Sequence, residues 1–325
     1  MIKKETMKLE LIKNDDKTIL ADILVNIRVY RLVFEQMSGS TNVLDENLWR
    51  GAFGKMLRDQ SCLSKMDHCG QCPLRNECIY SRVFEPAPPP NTKVMRLYNQ
   101  VPRPFVLRTV PAAKLGQHII EISLFGDTVQ YLGAVLNAFV NAARAGISKQ
   151  RLRFELKDIL QAKQLGVKEE WSSVLTNGLT ENLPNLQIPT LPEIASFEFT
   201  RPIILKQNSQ ILTDRQIEFH HLFGSLLRRL FLLRYFYGQQ DVTNDDSLLV
   251  DRSKTAKFMN RNLYWVERTR YSYRQNKEIP MAGVIGSCSL PMCDNTKVIW
   301  PLLWVGQWVH VGKGTTLGMG QYRLS

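Results

Sequence analysis

The chain has 325 residues, which is long for one compact core and comfortable for two domains of ordinary size. Apolar residues make up 44% of it and charged residues 22%, a composition that excludes an intrinsically disordered protein. Its 42 Lys and Arg outnumber 30 Asp and Glu, so the formal charge is +12 and the isoelectric point is near 9.5. Such an excess is typical of a protein with a polyanionic partner, although a soluble basic protein without one has the same composition.

The sequence contains no segment that predicts attachment to a membrane. The opening stretch MIKKETMKLE has lysines but no apolar core behind them, unlike a secretory signal. The most apolar tract, Val298 to Val311, is too short to span a bilayer and is interrupted by Pro301 and Gln307. We therefore expect a cytoplasmic protein, in which the six cysteines are reduced unless they bind metal.

The first half of the chain predicts the order of a ferredoxin-like βαββαβ unit. Its predicted elements are a strand from Ile19 to Phe34, a helix from Glu46 to Asp59 behind Asp45, a strand from Gln117 to Phe125, a helix from Thr128 to about Ala145, and a strand from Arg151 to Ile159. Residues 175 to 192 are rich in Asn, Thr and Pro, and we expect the domain junction there.

The second half repeats this pattern. Ser196 to Leu205 predicts a strand, and residues 213 to 216 have the form of a capping box that opens a helix running to about Tyr237. Residues 262 to 275 alternate as a strand, with room for two more short strands before the end. The sequence therefore predicts an α+β fold of two tandem ferredoxin-like (RRM-like) domains. The first covers residues 1–190 with a cysteine-rich insertion at 62–80, and the second covers residues 191–325 and ends in a glycine-rich loop.

Four of the cysteines form the pattern C-x6-C-x2-C-x5-C, at Cys62, Cys69, Cys72 and Cys78. Thiolates at this spacing can close a tetrahedral site around a zinc ion, and Gly70 and Pro73 favour the tight turn that such a site needs. His68 could replace one thiolate, and four unrelated reduced cysteines are the plain alternative. An iron–sulfur cluster would need more hydrophobic shielding than the local sequence supplies. We expect about one structural zinc ion per chain.

Two further stretches suit a nucleic acid. Within the strand predicted at 262–275, Arg268, Arg270 and Arg274 share one face, and Tyr271 projects from the other. Such a ladder fits a phosphate backbone and the tyrosine fits an unpaired base, although a solvated basic strand without a partner looks the same.

The last stretch, HVGKGTTLGMGQY, holds Gly312, Gly314, Gly318 and Gly320. Closely spaced glycines let backbone N–H groups approach an anion. The pattern is neither a P-loop, since Gly314 follows Lys313 where Ser or Thr is required, nor a dinucleotide fingerprint, since too few residues remain for a strand and a helix.

These stretches together resemble one family. HVGKGTTLGMG is similar to the C-terminal signature of CRISPR repeat-processing endoribonucleases of the repeat-associated mysterious protein (RAMP) superfamily. LWRGAFGKML, CIYSRVFEP and the helical FHHLFGSLLRRLFLLRYFYG followed by RTRYSYRQ are similar to the same subgroup, so the resemblance spans Leu48 to Tyr322. It implies two ferredoxin-like domains with a groove between them, and precursor CRISPR RNA as the substrate.

The resemblance also implies cleavage without a metal ion, by attack of the 2′-hydroxyl on the scissile phosphate, leaving a 2′,3′-cyclic phosphate and a 5′-hydroxyl. Such a reaction needs a base, cations and an acid. His310 with Lys313 is the first candidate set, with a packed core histidine as its alternative. His221 beside Arg228 is the second, with a solvated surface histidine as its alternative. Active residues in the family often lie near the first helix, which here has Arg50, Lys55 and Arg58 but no histidine. A site centred on a lysine or a tyrosine is therefore a further alternative.

Two other functions fit the same sequence. One is a subunit of a CRISPR effector complex that holds guide RNA without cutting it. The other is a partner of a CRISPR reverse transcriptase or integrase in an adaptation complex, acting mainly through protein contacts.

Overall fold

The computed structural model describes residues 26–37, 44–238, 247–267, 269–272 and 277–325. Its described strands form two main antiparallel sheets and two small hairpins. Each main sheet belongs to one half of the chain.

The first sheet has the spatial order β2-β3-β1-β4-β5, with β6 beside β4. Its strands are β1 (Ile27–Gln36), β2 (Phe105–Val110), β3 (Gln117–Phe125), β4 (Phe154–Gly166), β5 (Glu170–Ser173) and β6 (Asn185–Gln187). The helices of this half are α1 (Glu46–Ser61), α2 (Ile79–Phe84), α3 (Leu132–Ala145) and α4 (Val174–Asn177). With β1 between β3 and β4 and both pairs antiparallel, the order is that of a ferredoxin-like unit.

The second sheet has the order β10-β13-β7-β14, which is the same arrangement again. Its strands and the two hairpins are β7 (Ile194–Ile203), β8 (Lys206–Gln207), β9 (Gln210–Ile211), β10 (Met259–Val266), β11 (Thr269–Ser272), β12 (Lys277–Pro280), β13 (Gly283–Pro291) and β14 (Arg323–Leu324). The helices are α5 (Phe219–Tyr237), α6 (Ser247–Lys254), α7 (Asp294–Lys297) and α8 (Trp300–Val309). The tandem ferredoxin-like fold expected from the sequence is confirmed.

Both faces of the first sheet are buried. On one face α1 and α3 pack together, with the rings of Phe53 and Phe139 stacked at 4.4 Å between centroids. On the other face Val29, Val106 and Phe125 share a core with Leu226 of α5 and Trp308 of α8. The two halves therefore have a common hydrophobic core. The boundary at 190/191 falls between β6 and β7 and stays a prediction.

Several predicted elements differ from the structure. The helix α5 begins at Phe219, because the side-chain oxygen of Gln216 accepts from the Thr213 N–H at 3.0 Å and closes a separate turn. Residues 300–309, within the apolar tract Val298 to Val311, form the buried helix α8. Apolar residues occupy nearly every position of this tract, so no helical spacing of apolar and polar residues identifies the helix. The strand predicted over residues 262–275 ends at Val266, and β11 belongs to a separate hairpin with β12.

The remaining elements of the first half shift by a few residues. A 3-10 turn over Gly126–Tyr131 precedes α3, which begins at Leu132. The strand expected from Arg151 begins at Phe154 and continues to Gly166. Residues 19–25 of the first predicted strand lie outside the described residues. In the part of the chain that the structure describes, no helix is both long and apolar enough to cross a membrane.

Candidate functional site

The glycine-rich loop, residues 311–320, is fastened to the end of β7 by its backbone. The N–H of Gly320 donates to the Pro202 carbonyl at 2.9 Å, and the N–H of Lys313 donates to the Ile204 carbonyl at 3.1 Å. Its four glycines all have φ between +74° and +79°, a conformation that L side chains rarely adopt. A Cβ on Gly320 would also overlap the Val311 carbonyl oxygen. The glycines are therefore required by this backbone path.

Glu46, the first residue of α1, brings this loop against the first half of the chain. Its carboxylate accepts from Arg201 Nη2 of β7 at 2.7 Å, and from the backbone N–H and hydroxyl of Thr109 in β2 at 3.1 and 2.8 Å. The Glu46 side chain also packs against Gly318, where a Cβ would come within 3.0 Å of it. Only 4% of Glu46 is exposed, and a buried carboxylate needs such partners. One residue thus joins the first helix, both sheets and the loop.

His310 is fully buried, with none of its surface exposed. Its Nδ1 lies 3.1 Å from the Met319 carbonyl oxygen, so the neutral ring donates an N–H that ties the two ends of the loop together. Burial, and then Arg108, Arg229 and Arg201, lower the pKa of His310 to about 3. In this conformation the ring cannot contact RNA, so the geometry fits a structural role for His310 rather than the predicted catalytic one.

The backbone of His310 has φ 60° and ψ 165°, a region occupied almost only by glycine. Holding another residue there costs on the order of 1–3 kcal/mol, and such strain concentrates at functional segments. His310 directly precedes the glycine-rich loop, so its strained backbone indicates that this loop is under functional constraint.

Lys313, in contrast, is exposed at the tip of the loop. Burial of its stem, and then the neighbouring Lys206 of β8, lower the pKa of Lys313. Two ammonium groups side by side repel each other, and a phosphate placed between them removes that repulsion. Among the described backbone hydrogen bonds outside helices and strands, none is donated by the N–H groups of Gly314 and Thr315, the two residues that follow Lys313.

His221, the third residue of α5, caps that helix. Its Nδ1 accepts from the Glu218 N–H at 3.0 Å, so the neutral ring carries its proton on Nε2. Burial, and then His220, lower the pKa of His221. The lone pair that a general base needs is therefore already occupied. Arg228 is exposed further along α5, and the described contacts join neither residue to the glycine-rich loop.

The structure does not describe the side chains of the predicted arginine ladder. Arg268 and Arg274 lie outside the described residues. Arg270 and Tyr271 lie in β11, where their backbones pair with Ile279 and Glu278 of β12. The ladder stays a prediction.

Sequence reasoning missed a cleft of about 390 Å³ between the two halves. Arg31 of β1 and Arg108 of β2 line the cleft, and both hold the buried Glu121 of β3, Arg31 through its Nε at 2.9 Å. Arg31 also lies 3.8 Å over the ring of Trp171. Although burial alone would lower the pKa of Arg108, the charge of Glu121 raises it. The sequence does show one arginine inside each of two apolar runs, Arg31 in VYRLVF and Arg108 in VLRTV. Their common partner Glu121 lies 90 and 13 residues away from them, so the sequence does not show that the three meet.

The opposite wall of the cleft comes from the second half of the chain. Trp304, Gln307 and Trp308 of α8 line it, and Arg323 of β14 is exposed at its edge. Arg323 therefore brings a positive charge to the rim of the cleft.

The structure does not support the predicted zinc ion at the four cysteines. The thiols of Cys62 and Cys72 contact the Ser64 hydroxyl at 3.8 and 3.2 Å, and the thiol of Cys78 lies 3.7 Å from the Ser61 carbonyl. Among the described residues, no three His, Cys, Asp or Glu side chains come close enough to share one ion. All four cysteines nevertheless border one cavity of about 740 Å³.

Comparisons with known proteins agree with this architecture. Residues 26–187 match a family model described as an N-terminal domain, and residues 197–322 match the family of the CRISPR-associated endoribonuclease Cas6. No curated protein matches the sequence.

Among solved structures, a Cas6 product complex superposes with a TM-score of 0.53 at 15% identity, covering 92% of this chain and 100% of the other. The Cas6 of Thermus thermophilus gives 0.51 at 14% identity, covering 93% and 99%. A second Cas6 product complex gives 0.51 at 14% identity, covering 93% and 100%. At such low identity these structures share only the fold with this chain.

Proposed function

We propose that this chain, whose residues 197–322 match the family of the CRISPR-associated endoribonuclease Cas6, cuts precursor CRISPR RNA within its repeats. The observation that carries the proposal is the glycine-rich loop, which is anchored to both halves of the fold and presents Lys313 beside Lys206. The formal charge of +12 supplies the general attraction to RNA.

We place a phosphate of the RNA at the tip of this loop. The ammonium groups of Lys313 and Lys206 pair with its oxygens, and the N–H groups of Gly314 and Thr315 offer further donors. The backbone of the loop is held by the fold before RNA binds, so its N–H groups need little reorganisation to stabilise charge that develops during the reaction.

The proposed reaction needs no metal ion. The upstream 2′-hydroxyl attacks the scissile phosphorus, the bond from phosphorus to the 5′-oxygen breaks, and the products are a 2′,3′-cyclic phosphate and a 5′-hydroxyl. Lys313, whose pKa is lowered by burial and by Lys206, neutralises the phosphorane and gives a proton to the departing 5′-oxygen. The proton of the 2′-hydroxyl passes to solvent. His310 and His221 act indirectly, by fixing the loop and the start of α5.

A second candidate function is a protein that holds guide RNA without cutting it. The observation that favours it is that neither His310 nor His221 presents a free basic nitrogen to solvent. Arg228, Arg270, Tyr271 and the glycine-rich loop would bind RNA in both cases. Contacts with CRISPR effector or adaptation proteins also stay a prediction.

Incubation of the purified chain with its own end-labelled repeat RNA in excess EDTA separates these functions. We expect one cut per repeat, strongly slowed in Lys313→Ala. Lys157→Ala is the matched control, because the Lys157 ammonium is exposed and already paired with Glu35 and Glu155. Tight binding without any cut by the wild-type chain would establish the RNA-holding function instead.

A further inference from the structure

We propose that the four cysteines of the insertion bind a [4Fe–4S] cluster. The site lies outside the glycine-rich loop, and the inference does not depend on the proposed nuclease activity. Its basis is that four cysteines from separate turns line one cavity of about 740 Å³.

Three local structures bring these thiols to the cavity. Cys62 ends α1, where its N–H donates to the Arg58 carbonyl at 2.8 Å. Cys69 and Cys72 stand at the two ends of a 3-10 turn closed by a bond of 3.2 Å from the Cys72 N–H to the Cys69 carbonyl. Cys78 caps α2 and is held by a bond of 2.8 Å to the Leu74 carbonyl.

The spacing of the thiols favours a cluster over a single ion. A zinc ion requires four sulfurs about 2.3 Å from one point, so the sulfurs must nearly touch. No three ligand side chains among the described residues come that close, although all four cysteines line the same cavity. A cubane of four iron and four sulfide ions separates its cysteine ligands further, since each thiolate binds a different iron at a corner of the core.

The fold also supplies the apolar shielding that the local sequence lacks. Gly133 and Ala134 of α3 form one wall of the cavity, and their small size leaves room for an inorganic core. Leu74 and Ile79 border it as well, and Cys69 and Cys78 pack against the core formed by α1 and α3. Leu74 and Ile79 belong to the cysteine-rich segment, but the wall from α3 is invisible there, because α3 is more than fifty residues further along the chain.

The surroundings also match the charge of such a cluster. A [4Fe–4S] core with four thiolates is an anion in its common oxidation states. Arg75 lines the cavity, and Arg58 lies on the last turn of α1 beside Cys62. Their side chains hold the surrounding loops through bonds to the Asn99 and Met66 carbonyls. Each thiol releases a proton to solvent when it binds iron, and no redox step is required of the site.

The test is the metal content of the wild-type chain purified without chelator in the absence of oxygen. We expect about four iron and about four inorganic sulfide ions per chain, with a brown charge-transfer absorption. One zinc ion without sulfide would overturn the proposal. So would protein without metal that fails to take up iron and sulfide on anaerobic reconstitution.

Two cysteine variants locate the cluster. Cys72→Ser should lose the absorption, whereas Cys293→Ser should keep it, because Cys293 is exposed and lies outside the cavity. An equal absorption in both variants contradicts the assignment. If Cys72→Ser does not fold, the iron and sulfide content of the wild-type chain still decides whether a cluster is bound. Cleavage of repeat RNA by the same wild-type sample tests the proposed nuclease activity separately.

Discussion

Arg201 donates to the carboxylate of Glu46 across 2.7 Å, and this ion pair joins residues that are 155 positions apart in the chain. Glu46 opens the first helix, whereas Arg201 lies in the first strand of the second sheet. The same carboxylate packs against Gly318. The buried Glu46 carboxylate therefore helps to hold the glycine-rich loop against the first half of the chain.

Glu46→Ala should lower the free energy of unfolding by roughly 3 kcal/mol, since removal of one partner leaves Arg201 unpaired at a mostly buried position. Glu46→Gln should cost less, because its amide oxygen can still accept from Thr109. Urea unfolding measures both. Glu155→Ala, which breaks an exposed pair with Lys157, is the control and should change stability by less than about 1 kcal/mol. Equal stability of Glu46→Ala and the wild type would contradict the role given to this ion pair.

Gly320→Ala should destabilise the chain and weaken RNA binding together. The new Cβ would sit at φ +74° and overlap the Val311 carbonyl, so the loop must move. Gly224→Ala is the matched control, because Gly224 lies inside α5 with open space around it, and alanine there should stabilise by up to about 1 kcal/mol. Thermal unfolding and RNA titration check the pair. An unchanged affinity in Gly320→Ala would remove the loop from the binding surface.

Lys313→Ala should weaken the binding of repeat RNA most at low salt. Loss of one phosphate contact lowers the slope of log affinity against log salt by about 0.7 for a single strand. Binding measured across a salt series gives that slope. Lys157→Ala should leave it unchanged, because its charge is already neutralised. The same loss in both variants would mean that overall charge, and not the loop, binds the RNA.

The free energy of unfolding should decrease as the pH is lowered, and His310 is one cause of this decrease. Its pKa in the folded chain is about 3, below the ordinary 6.5, so the unfolded chain binds the extra proton first as pH falls. The contribution is complete above about pH 6.5 and is lost progressively toward about pH 3.

His310→Gln should therefore have a flatter dependence of unfolding free energy on pH than the wild type. Some slope should remain, because burial also lowers the pKa of His118. His68→Gln, at an exposed position, should behave as the wild type does. If His310→Gln keeps the full slope, His310 is accessible to protons in the folded chain and its direct catalytic role returns.

The sequence predicts the fold well where alternation and apolar periods are clear. The strand Gln117–Phe125 is predicted to the residue, and the helix that ends at Ala145 is recognised from its apolar stripe. The helix Trp300–Val309 is missed because it is apolar on every side, so burial all round removes the period that identifies a helix.

The site is less predictable because its contacts are long-range. The four glycines are found from spacing alone, whereas the Glu46 carboxylate gives no local sign that Arg201 will meet it. His310 is misjudged for a similar reason. A histidine beside a glycine-rich loop looks available, and only the packing of both halves shows that it is enclosed.

The most direct test of the central claim is the reaction of the wild-type chain, in excess EDTA, with repeat RNA that carries one 2′-deoxy nucleotide just upstream of the cut. We predict that the all-ribose RNA is cut once to a 2′,3′-cyclic phosphate and a 5′-hydroxyl, and that the deoxy RNA binds equally well but stays intact. Cleavage of the deoxy RNA at the same bond, or a requirement for added metal, would contradict the 2′-hydroxyl mechanism.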